Sequence, residues 1–576
     1  MFIETIPNRG SRPAILLREG WRQDGKVQKR TVANLTHWPA EKVESLRRLL
    51  KGDRLVPADQ AIVIDRSKPH GHVEAVLGAL RRLGLEDMIA SRRCRQRDLV
   101  VAMIVQRLTD PCSKLASTRC WQDTTLAEEL AVADADVDEL YDALDWLLAR
   151  QKRIENKLAA RHLWEGASAL YDVSSSYYEG RTCVLAQWGY NRDGKDGTLC
   201  IVYGVLTDGQ GRPVAVEVYP GNTGDPTTVP DQVQKLREQF GLQRVVLVGD
   251  RGMLTQTQIN RLKEYPQLGW ISALRSESIR QLIGSGAIQL SLFDQQDLAE
   301  IAAPEFPGER LVVCFNPLLA EERRRKREDL LASTEKELKK LASAVARRTR
   351  TPMSAKEIAL KAGKQQNRFK MGKHFLLTIA DGQFQWQRDE QAIEQEKKLD
   401  GIYVVRTSEP ADRLSSADAV RTYKGLSQVE RAFRVLKSLD LRIRPIHHRS
   451  EDHVRGHIFL CLLAYYVEWH MRKALAPLLF DDEELDEARG QRDPVKPAKP
   501  SASAKAKKTT RQTPDGLPVH SFQTLMAALA TRCRNTCRFP AVEEDRNQAA
   551  MTFPRLTEPT DLQTRVFKLL ELLPGT

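Results

Sequence analysis

The sequence predicts an α/β protein whose central mixed sheet is built in the order β-β-β-α-β-α-β and is then joined by a further helix. Short apolar runs bounded by turn residues indicate the strands, and apolar residues spaced three and four apart indicate the helices. A long, highly charged stretch interrupts this order before the last helix. The chain has 576 residues, more than one core of about 250–300 residues holds, so several domains are expected.

Two regions are predicted before the sheet. In residues 1–40, two apolar segments flank Asp24 and Gly25, which predicts a β-hairpin. Residues 41–165 have helical periodicity. A basic cluster in this helical region indicates either a solvated helix end or a module that binds DNA ends. The cluster consists of Arg92, Arg93, Arg95 and Arg97.

Residues 166–275 are predicted to form the first part of the sheet. Three consecutive strands followed by α/β units indicate a mixed sheet with helices on both faces. The predicted strands are Ala169–Tyr177, Thr198–Leu206, Pro213–Tyr219, Arg244–Gly249 and Gly269–Leu274. The predicted helices between them are Thr227–Phe240 and Thr255–Leu262.

An inserted α+β subdomain is predicted for residues 276–401, where the charged helical stretch Leu319–Arg348 lies between short strands. Residues 402–478 return to the core with two strongly helical patterns, Ser416–Leu439 and Glu451–Leu475. The insertion is therefore expected to separate two parts of one domain.

The C-terminal part is predicted to contain a linker and a small helical region. Residues 479–516 combine an acidic patch with a run of Pro, Lys, Ala and Ser. Such a segment buries too little apolar surface to offset its ordering entropy, so a disordered linker is predicted. Residues 517–576 have modest helical patterns and are predicted to be helical.

The charge balance favours a polyanionic partner. The formal net charge is +13, which suits nucleic acid or an acidic membrane surface. A membrane partner is not expected, because the longest apolar run, Ile458–Val467, has about ten residues and a spanning helix needs ~20. No signal peptide is expected at Met1–Gly10, and nine scattered cysteines are typical of a reducing compartment such as the cytoplasm.

Two aspartates stand in unusual positions. Asp172 lies inside the first predicted strand, where a charge is costly to bury without a partner. Asp250 ends the fourth strand, at the sheet edge where α/β proteins usually place ligands. In a mixed sheet of this order the two strands can be neighbours, so the two carboxylates would project together.

Two neighbouring carboxylates repel each other unless a cation lies between them. Carboxylate oxygens suit Mg²⁺ or Mn²⁺, and two such ions about 3.5–4 Å apart support phosphoryl transfer. Asp172 and Asp250 are therefore candidate metal ligands and catalytic residues. The alternative interpretation is a salt-bridged Asp172 and an Asp250 that caps a helix.

A third candidate carboxylate lies in the helical pattern after the insertion. Tyr423, Glu430 and Lys437 are seven residues apart, which places them on one helical face, with Arg434 one turn beyond Glu430. Glu430 can supply the third metal ligand while the other three side chains reach phosphates. The alternative is a solvated face of ion pairs.

These residues resemble the DDE transposases of bacterial insertion sequences, in the superfamily with the Y-R-E-K signature. Tyr423, Glu430 and Lys437 match the Y, E and K positions, whereas Leu426 occupies the R position. Arg431 or Arg434 is expected to substitute for that missing arginine. Further similar tracts are Tyr171-Asp-Val-Ser-Ser-Ser, Gly189-Tyr-Asn-Arg-Asp-Gly, Gly221-Asn-Thr-Gly-Asp-Pro and Val248-Gly-Asp-Arg-Gly-Met.

The resemblance, which covers roughly residues 165–475, implies an RNase H-like core with an insertion between the second Asp and the Glu. It implies an enzyme that cuts element ends and joins them to target DNA with two Mg²⁺ or Mn²⁺ ions. The implied partners are double-stranded DNA, as terminal inverted repeats and target, and a second copy of the chain in a homodimer. The implied location is the bacterial cytoplasm, in association with the nucleoid.

Two other functions stay open from the sequence. One is a DNA-binding protein derived from a transposase that has lost catalysis, and the other is a stand-alone RNase H-like nuclease. Three weaker signals also have two interpretations each. Trp386 either assists a DNA hairpin or packs, and Asn222 and Asp225 either form a turn or contact DNA or metal. The third signal, which indicates a structural or phosphate-contacting role rather than zinc, is His447, His448, His453 and His457.

Overall fold

The structure, a computed structural model, describes residues 1–53, 61–265, 267–293, 297–438, 440–539 and 551–572. Leu439, the last residue of one predicted helix, lies outside the described residues. The chain forms two compact units. The first consists of Met1–Lys68 and Cys533–Glu558, and the second of Pro69–Arg532 and Pro559–Thr576.

The described part of the first unit contains two three-stranded sheets and one helix. Strands β1 (Phe2–Ile6), β2 (Ala14–Gln23) and β3 (Lys26–Asn34) form one sheet, followed by α1 (Ala40–Leu50). Asp24 and Gly25, both with positive φ, turn the chain between β2 and β3, which confirms the predicted hairpin.

The second sheet of this unit consists of β4 (Val63–Pro69), β15 (Cys533–Arg538) and β16 (Thr552–Leu556), in the order β16-β15-β4. The sequence prediction of a purely helical C-terminal region is wrong for β15 and β16. These strands are short, and β15 lies between β16 and a strand far away in the sequence. Local periodicity carries little information about such pairing.

Residues 41–165 are predicted to be helical, and β4 is an exception within them because it pairs with a strand far away in the sequence. Seven helices follow β4 in the second unit. They are α2 (Gly71–Arg82), α3 (Leu85–Ile89), α4 (Arg95–Thr109), α5 (Lys114–Asp123), α6 (Leu126–Glu129), α7 (Val137–Leu148) and α8 (Gln151–His162). The basic cluster at the start of α4 is largely engaged within the fold. Arg93 pairs with Asp98 at 2.8 Å, and Arg95 pairs with Glu139 at 3.1 Å. Arg97 is buried beside Asp98.

The large sheet has eight strands in the order β10-β11-β14-β9-β8-β5-β6-β7. The strands are β5 (Ser168–Tyr177), β6 (Cys200–Asp208), β7 (Pro213–Pro220), β8 (Val245–Val248), β9 (Leu268–Ala273), β10 (Leu298–Ile301), β11 (Arg310–Phe315) and β14 (Ile402–Thr407). The β5–β8 and β8–β9 pairs are parallel and the others antiparallel, so the sheet is mixed. This large mixed sheet is compatible with an RNase H-like fold.

The helices between these strands follow the predicted order. They are α9 (Val229–Gln234), which continues into an irregular helical turn at Lys235–Gln239, α10 (Gln256–Leu262) and α11 (Ser276–Gly284). Strands β10 and β11 were assigned to the insertion from the sequence, but they extend the edge of the large sheet. Alternation alone does not show which sheet a strand joins, because pairing partners are distant in sequence.

The rest of the insertion has its own apolar core. It contains α12 (Pro317–Arg347), α13 (Ala355–Phe369), the hairpin β12 (Phe375–Ala380) and β13 (Gln383–Arg388), and α14 (Glu390–Lys397). Trp386 on β13 packs edge-on against Phe375, with ring centroids 5.9 Å apart. The structure therefore gives Trp386 a packing role.

The segment predicted as one helix, Ser416–Leu439, is two helices. They are α15 (Ser416–Lys424) and α16 (Leu426–Lys437), which meet at Gly425. A Cβ atom at Gly425 would come within 3.4 Å of Leu170 on β5 and closer still to the carbonyl oxygen of Thr422. Glycine thus permits the close approach of this junction to the sheet.

Helix α17 (Glu451–Leu475) is the central helix of the second unit and packs against α2, α4, α7 and β7. Its apolar side chains are buried on nearly all sides, which explains the continuous apolar run at Ile458–Val467. No helix in the described part of the chain has the length and apolar character needed to cross a membrane.

Residues 479–516 are not a disordered linker in the structure. They include α18 (Leu485–Gln491) and α19 (Ala502–Thr510). Lys507 is buried and donates hydrogen bonds to the carbonyl oxygens of Ala476 and Asp481, at 2.8 and 2.7 Å. The prediction from composition is wrong here because a lysine of the low-complexity run satisfies backbone groups near the end of α17. Two further helices, α20 (Phe522–Ala530) and α21 (Asp561–Leu569), complete the unit.

Candidate active site

Asp172 and Asp250 lie at the same end of two adjacent strands. In the parallel pair β5–β8, Leu170 is opposite Val248, so each aspartate is two residues beyond that pair. Asp172 is still within β5, whereas Asp250 follows the end of β8. The hypothesis that these two strands are neighbours is therefore confirmed.

Asp172 is the carboxylate of the pair whose negative charge is destabilised by its surroundings. Burial raises the pKa of its carboxyl group to about 7, and the charge of Asp250 acts in the same direction. The hydrogen bond from the Val173 N–H and the charge of Arg192 oppose this rise. Because a charged Asp172 is unfavourable here, the site favours a proton or another cation beside it.

Asp250 is exposed and shapes the turn after β8. Its Oδ1 accepts hydrogen bonds from the backbone N–H groups of Gly252 and Met253, at 2.9 and 2.7 Å. The capping role considered from the sequence is thus real, although it caps a turn rather than a helix. The two hydrogen bonds of this cap engage only the Oδ1 of Asp250. Its Oδ2 accepts no hydrogen bond from the residues that the structure describes.

Glu430 is exposed on α16, and that helix packs across β5 and β6. The half-buried phenol of Tyr423 connects it to the aspartates. Burial raises the pKa of Tyr423 to about 12, and the charges of Asp250, Glu430 and Asp172 all add to the rise. The phenol of Tyr423 is therefore close enough to all three carboxylates for their charges to raise its pKa. The charge of the Arg251 guanidinium lowers that pKa.

The three carboxylates all act electrostatically on Tyr423 but do not form one cluster of metal ligands. Within the described ranges, no three His, Cys, Asp or Glu side chains are close enough together to hold a single ion. The structure thus brings Asp172 and Asp250 together and leaves Glu430 in the same region on a separate helix.

A loop after β5 carries a cation that the sequence analysis did not single out. Ser175 on β5 donates a hydrogen bond to the Tyr190 carbonyl oxygen and accepts one from the Arg192 N–H, at 2.9 and 3.0 Å. The Arg192 guanidinium also donates to both carboxylate oxygens of Asp225, at 2.6 Å each. Asp225 therefore anchors Arg192 near Asp172, and the only sequence signal for Arg192 was its place in the Gly189-Tyr-Asn-Arg-Asp-Gly tract.

Lys437 supports the same loop from α16. Its ammonium donates to Oδ1 of Asp193 at 3.0 Å and to the Ser175 carbonyl oxygen at 2.5 Å. Arg444 also pairs with Asp193, whose side chain is buried. Burial lowers the pKa of Lys437, and the charge of Asp193 opposes that shift. Lys437 thus positions the loop that holds Arg192.

The two arginines expected to replace the missing signature arginine lie in different surroundings. Arg434 is exposed, one turn beyond Glu430 on α16. Arg431 pairs with Asp481 at 3.0 Å and lines a cavity beside Tyr465 and Trp469 of α17. Arg431 is therefore engaged with Asp481. Arg434 is the exposed arginine that lies one helical turn from Glu430.

Replacing Gly189 by alanine is expected to displace the Arg192 loop and destabilise the fold. A Cβ atom at Gly189 would overlap the carbonyl oxygen of Gly221, so two backbone segments would have to separate. Such overpacking typically costs about 1–3 kcal/mol. Urea denaturation of Gly189→Ala measures this cost. Gly224→Ala is the matched control, since a Cβ atom there meets nothing within 4 Å, and equal stability of the two variants would contradict the prediction.

Replacing Asp172 by asparagine is expected to stabilise the metal-free protein at neutral pH. A pKa raised from near 4 to about 7 means that the charge of Asp172 costs the folded state up to about 4 kcal/mol. Below pH 4, Asp172 is protonated in both the folded and the unfolded protein, and the folded state carries no buried charge there. This part of the free energy of unfolding decreases as the pH rises from 4 to 7 and is lost above pH 7.

Urea denaturation in EDTA at several pH values measures this effect. The stability difference between Asp172→Asn and the wild type should grow from pH 4 to pH 7 and then level off. The matched variant Asp231→Asn, on the exposed side of α9, should show no such growth. A difference for Asp172→Asn that is independent of pH would contradict the burial of this charge.

Two family models match the chain. A family model described as transposase DDE domain matches residues 179–467, just over half of the chain. A second model, described as IS1634 family transposase, N-terminal domain, matches residues 3–58. The chain belongs to the DDE-type transposases of insertion sequences. The first match includes Asp250 and Glu430 but begins after Asp172.

No curated protein matches the chain. Among solved structures, a cryo-EM structure of a piggyBac transposase synaptic complex with hairpin DNA matches at 10% identity and a TM-score of 0.32. That match covers 80% of this chain and 76% of the other.

Proposed function

We propose that this transposase cuts DNA at the ends of its insertion sequence and joins the freed 3′-hydroxyl to target DNA, with Asp172, Asp250 and Glu430 as its catalytic carboxylates. The observation that carries the proposal is the placement of Asp172 and Asp250 on adjacent parallel strands. The helix that bears Glu430 crosses the first of those strands. We interpret the large mixed sheet as an RNase H-like core.

The donor set fits divalent cations. Carboxylate oxygens are the ligands that Mg²⁺ and Mn²⁺ prefer, and the raised pKa of Asp172 marks a site that gains from added positive charge. Two such ions would supply charge stabilisation for both oxygens of the displacement. Asp172 and Asp250 would hold them, and Glu430 would complete the set once its side chain on α16 turns toward the aspartates.

The remaining side chains suit the DNA backbone. Arg434 is exposed and Arg251 lies within reach of Tyr423, so these two guanidinium groups would hold phosphates on either side of the scissile bond. The Tyr423 phenol is protonated at neutral pH, as an ordinary tyrosine is, and is therefore a hydrogen-bond donor; its raised pKa keeps the proton at higher pH as well. Lys437 and Asp225 act indirectly, since each holds a part of the Arg192 loop.

Joining an element to a target requires both of its ends in one complex. We therefore propose that two copies act together on two terminal inverted repeats, on chromosomal DNA in the bacterial nucleoid. The net charge of +13 favours such a polyanionic partner.

Incubation of the protein with duplexes that carry its own terminal repeats, a target plasmid and Mg²⁺ tests the proposal. Cleaved ends together with joined product are expected. Binding without cleavage would instead support a DNA-binding protein that has lost catalysis. Cleavage without joining, and without preference for the repeats, would support a stand-alone nuclease.

A further inference from the structure

A cavity lined by several cations lies in the same unit as the candidate active site. It has a volume of about 240 Å³ and is lined by residues of the helical region and of the segment between α16 and α17. The cations that line it are Arg107, Lys114, Arg442 and Arg444. No Asp or Glu is among its lining residues in the described part of the chain. A cavity with this lining repels metal ions and attracts anions.

Lys114 is the most buried of these cations. Its side chain is 4% exposed, and its ammonium has no hydrogen-bond or ion-pair partner among the residues that the structure describes. Burial lowers its pKa to about 7, and the charge of Arg107 adds to that effect. A buried lysine without a partner is rare and costly, and with a pKa of about 7 its amine is only partly charged at neutral pH. An anion in the cavity would supply the compensating charge that the described residues do not.

The N-terminus of α5 reinforces the positive potential. Lys114 is the first residue of this ten-residue helix, after the capping residue Ser113. Backbone N–H groups carry partial positive charge at this end, where acidic side chains are usual and lysine is unfavourable. An anion in the cavity would be stabilised by both the helix end and the ammonium.

The neighbouring histidines do not compensate the charge. Burial lowers the pKa of His448 to about 3, and Lys114 and Arg107 add to that shift. Burial also lowers the pKa of His457 well below its usual value. Both rings are therefore neutral at pH 7. His457 donates its Nε2–H to the Ile443 carbonyl oxygen at 3.1 Å, so His448 is the ring that is available to donate to an oxyanion. The acids nearest to the outer histidines are Glu179, 3.9 Å from His447, and Asp145, 3.4 Å from His453.

Arg444 connects this cavity to the active site. It lines the cavity and pairs with Asp193, the residue after Arg192, and the charge of Arg192 acts on Asp172. Arg192, paired with Asp225, and Arg444, paired with Asp193, thus link the surroundings of Asp172 to the cavity that Lys114 lines.

We infer that this cavity binds a backbone phosphate of the DNA, with the Lys114 ammonium as its central contact. The inference rests on the proposed function, because DNA is the polyanion that the site at Asp172 would bind. It assigns the histidine-rich segment to phosphate contact and gives the helical region before β5 a specific role in holding DNA.

The test is the salt dependence of binding to a fluorescent 30-base-pair duplex without terminal repeats, measured by anisotropy in KCl. Each phosphate contact contributes about 0.9 to the slope of log K against log salt. Lys114→Met should lower that slope by about 0.9. Lys152→Met, which removes an exposed lysine of α8, should leave the slope unchanged.

A second readout separates this role from a structural one. Because Lys114→Met removes a buried unpaired charge, the melting temperature of the free variant should be equal to or higher than that of the wild type. If Lys114→Met fails to fold, Arg442→Gln replaces it in the test, since Arg442 is an exposed cation of the same cavity. Arg442→Gln should lower the slope of log K against log salt without changing the melting temperature. A slope that stays at the wild-type value in the folded variants overturns the inference.

Inorganic phosphate is the competing source of the same chemistry. If phosphate at constant ionic strength raises the melting temperature of the wild type but not of Lys114→Met, and the DNA slope is unchanged, the cavity takes a free anion and the DNA assignment is overturned. A different result would reject the proposed function. Duplex binding with the expected slope, together with no Mg²⁺-dependent cleavage of a second duplex that carries the terminal repeats, would reject catalysis and keep the cavity, whereas absence of duplex binding would reject both.

Discussion

Replacing Asp250 by asparagine is expected to lower the rate of DNA cleavage at element ends by about 10³-fold or more. The substitution removes a negative ligand while it keeps the shape of the side chain and the Oδ1 that caps the turn at Gly252 and Met253. Loss of metal-assisted charge stabilisation is worth several kcal/mol, and each 1.36 kcal/mol is a factor of ten. The measurement is the single-turnover rate of cleavage of a labelled terminal-repeat duplex in Mg²⁺, followed on denaturing gels.

The control for Asp250→Asn is Asp231→Asn, which removes an exposed carboxylate of α9 from the same unit. It should cleave at the wild-type rate, and both variants should bind the duplex in EDTA. If Asp250→Asn cleaved within about tenfold of the wild type, Asp250 would be a turn residue without a catalytic role.

Glu430→Gln is expected to lower the same rate by a similar factor, although Glu430 lies on a separate helix in the free protein. The reason is that the third ligand would complete the cation site only when the Glu430 side chain turns toward the aspartates. Binding of the duplex in EDTA should be unchanged, because Glu430 contacts no phosphate in the proposal. Single-turnover cleavage and anisotropy together separate these two effects.

The matched control for Glu430→Gln is Glu487→Gln, an exposed glutamate of α18. The double variant Asp250→Asn/Glu430→Gln should be hardly slower than either single variant, since residues that act as one unit give non-additive losses. Losses that multiply in the double variant would show that Glu430 acts independently of the metal site.

The central strands and the aspartate pair were predictable because the relevant signals are local. Apolar runs and turn residues define β5 and β8, and a strand-end carboxylate such as Asp250 is visible without knowledge of its partner. Adjacency of β5 and β8 followed from the limited number of ways to order a mixed sheet.

Contacts between distant segments were not predictable in the same way. The role of Lys437 depends on Asp193, more than 240 residues earlier, and that of Arg431 depends on Asp481. Nothing in the sequence spacing distinguishes a lysine that contacts phosphate from one that supports a loop. The break at Gly425 was also missed, because it depends on the close approach to Leu170 rather than on helical periodicity.

Composition misled the prediction for residues 479–516. A run of Pro, Lys, Ala and Ser is typical of disorder, yet Lys507 is buried against the backbone near the end of α17. The entropy argument holds for an isolated segment and fails when existing backbone acceptors supply partners for its side chains.

The most direct test of the three-carboxylate site is iron-mediated cleavage of the polypeptide in the complex with terminal-repeat DNA. Fe²⁺ takes the place of Mg²⁺, and ascorbate with peroxide then cuts the protein backbone next to each bound ion. The proposal predicts cuts close to Asp172, Asp250 and Glu430, all suppressed by excess Mg²⁺. Cuts at the two aspartates but none near Glu430 would contradict it.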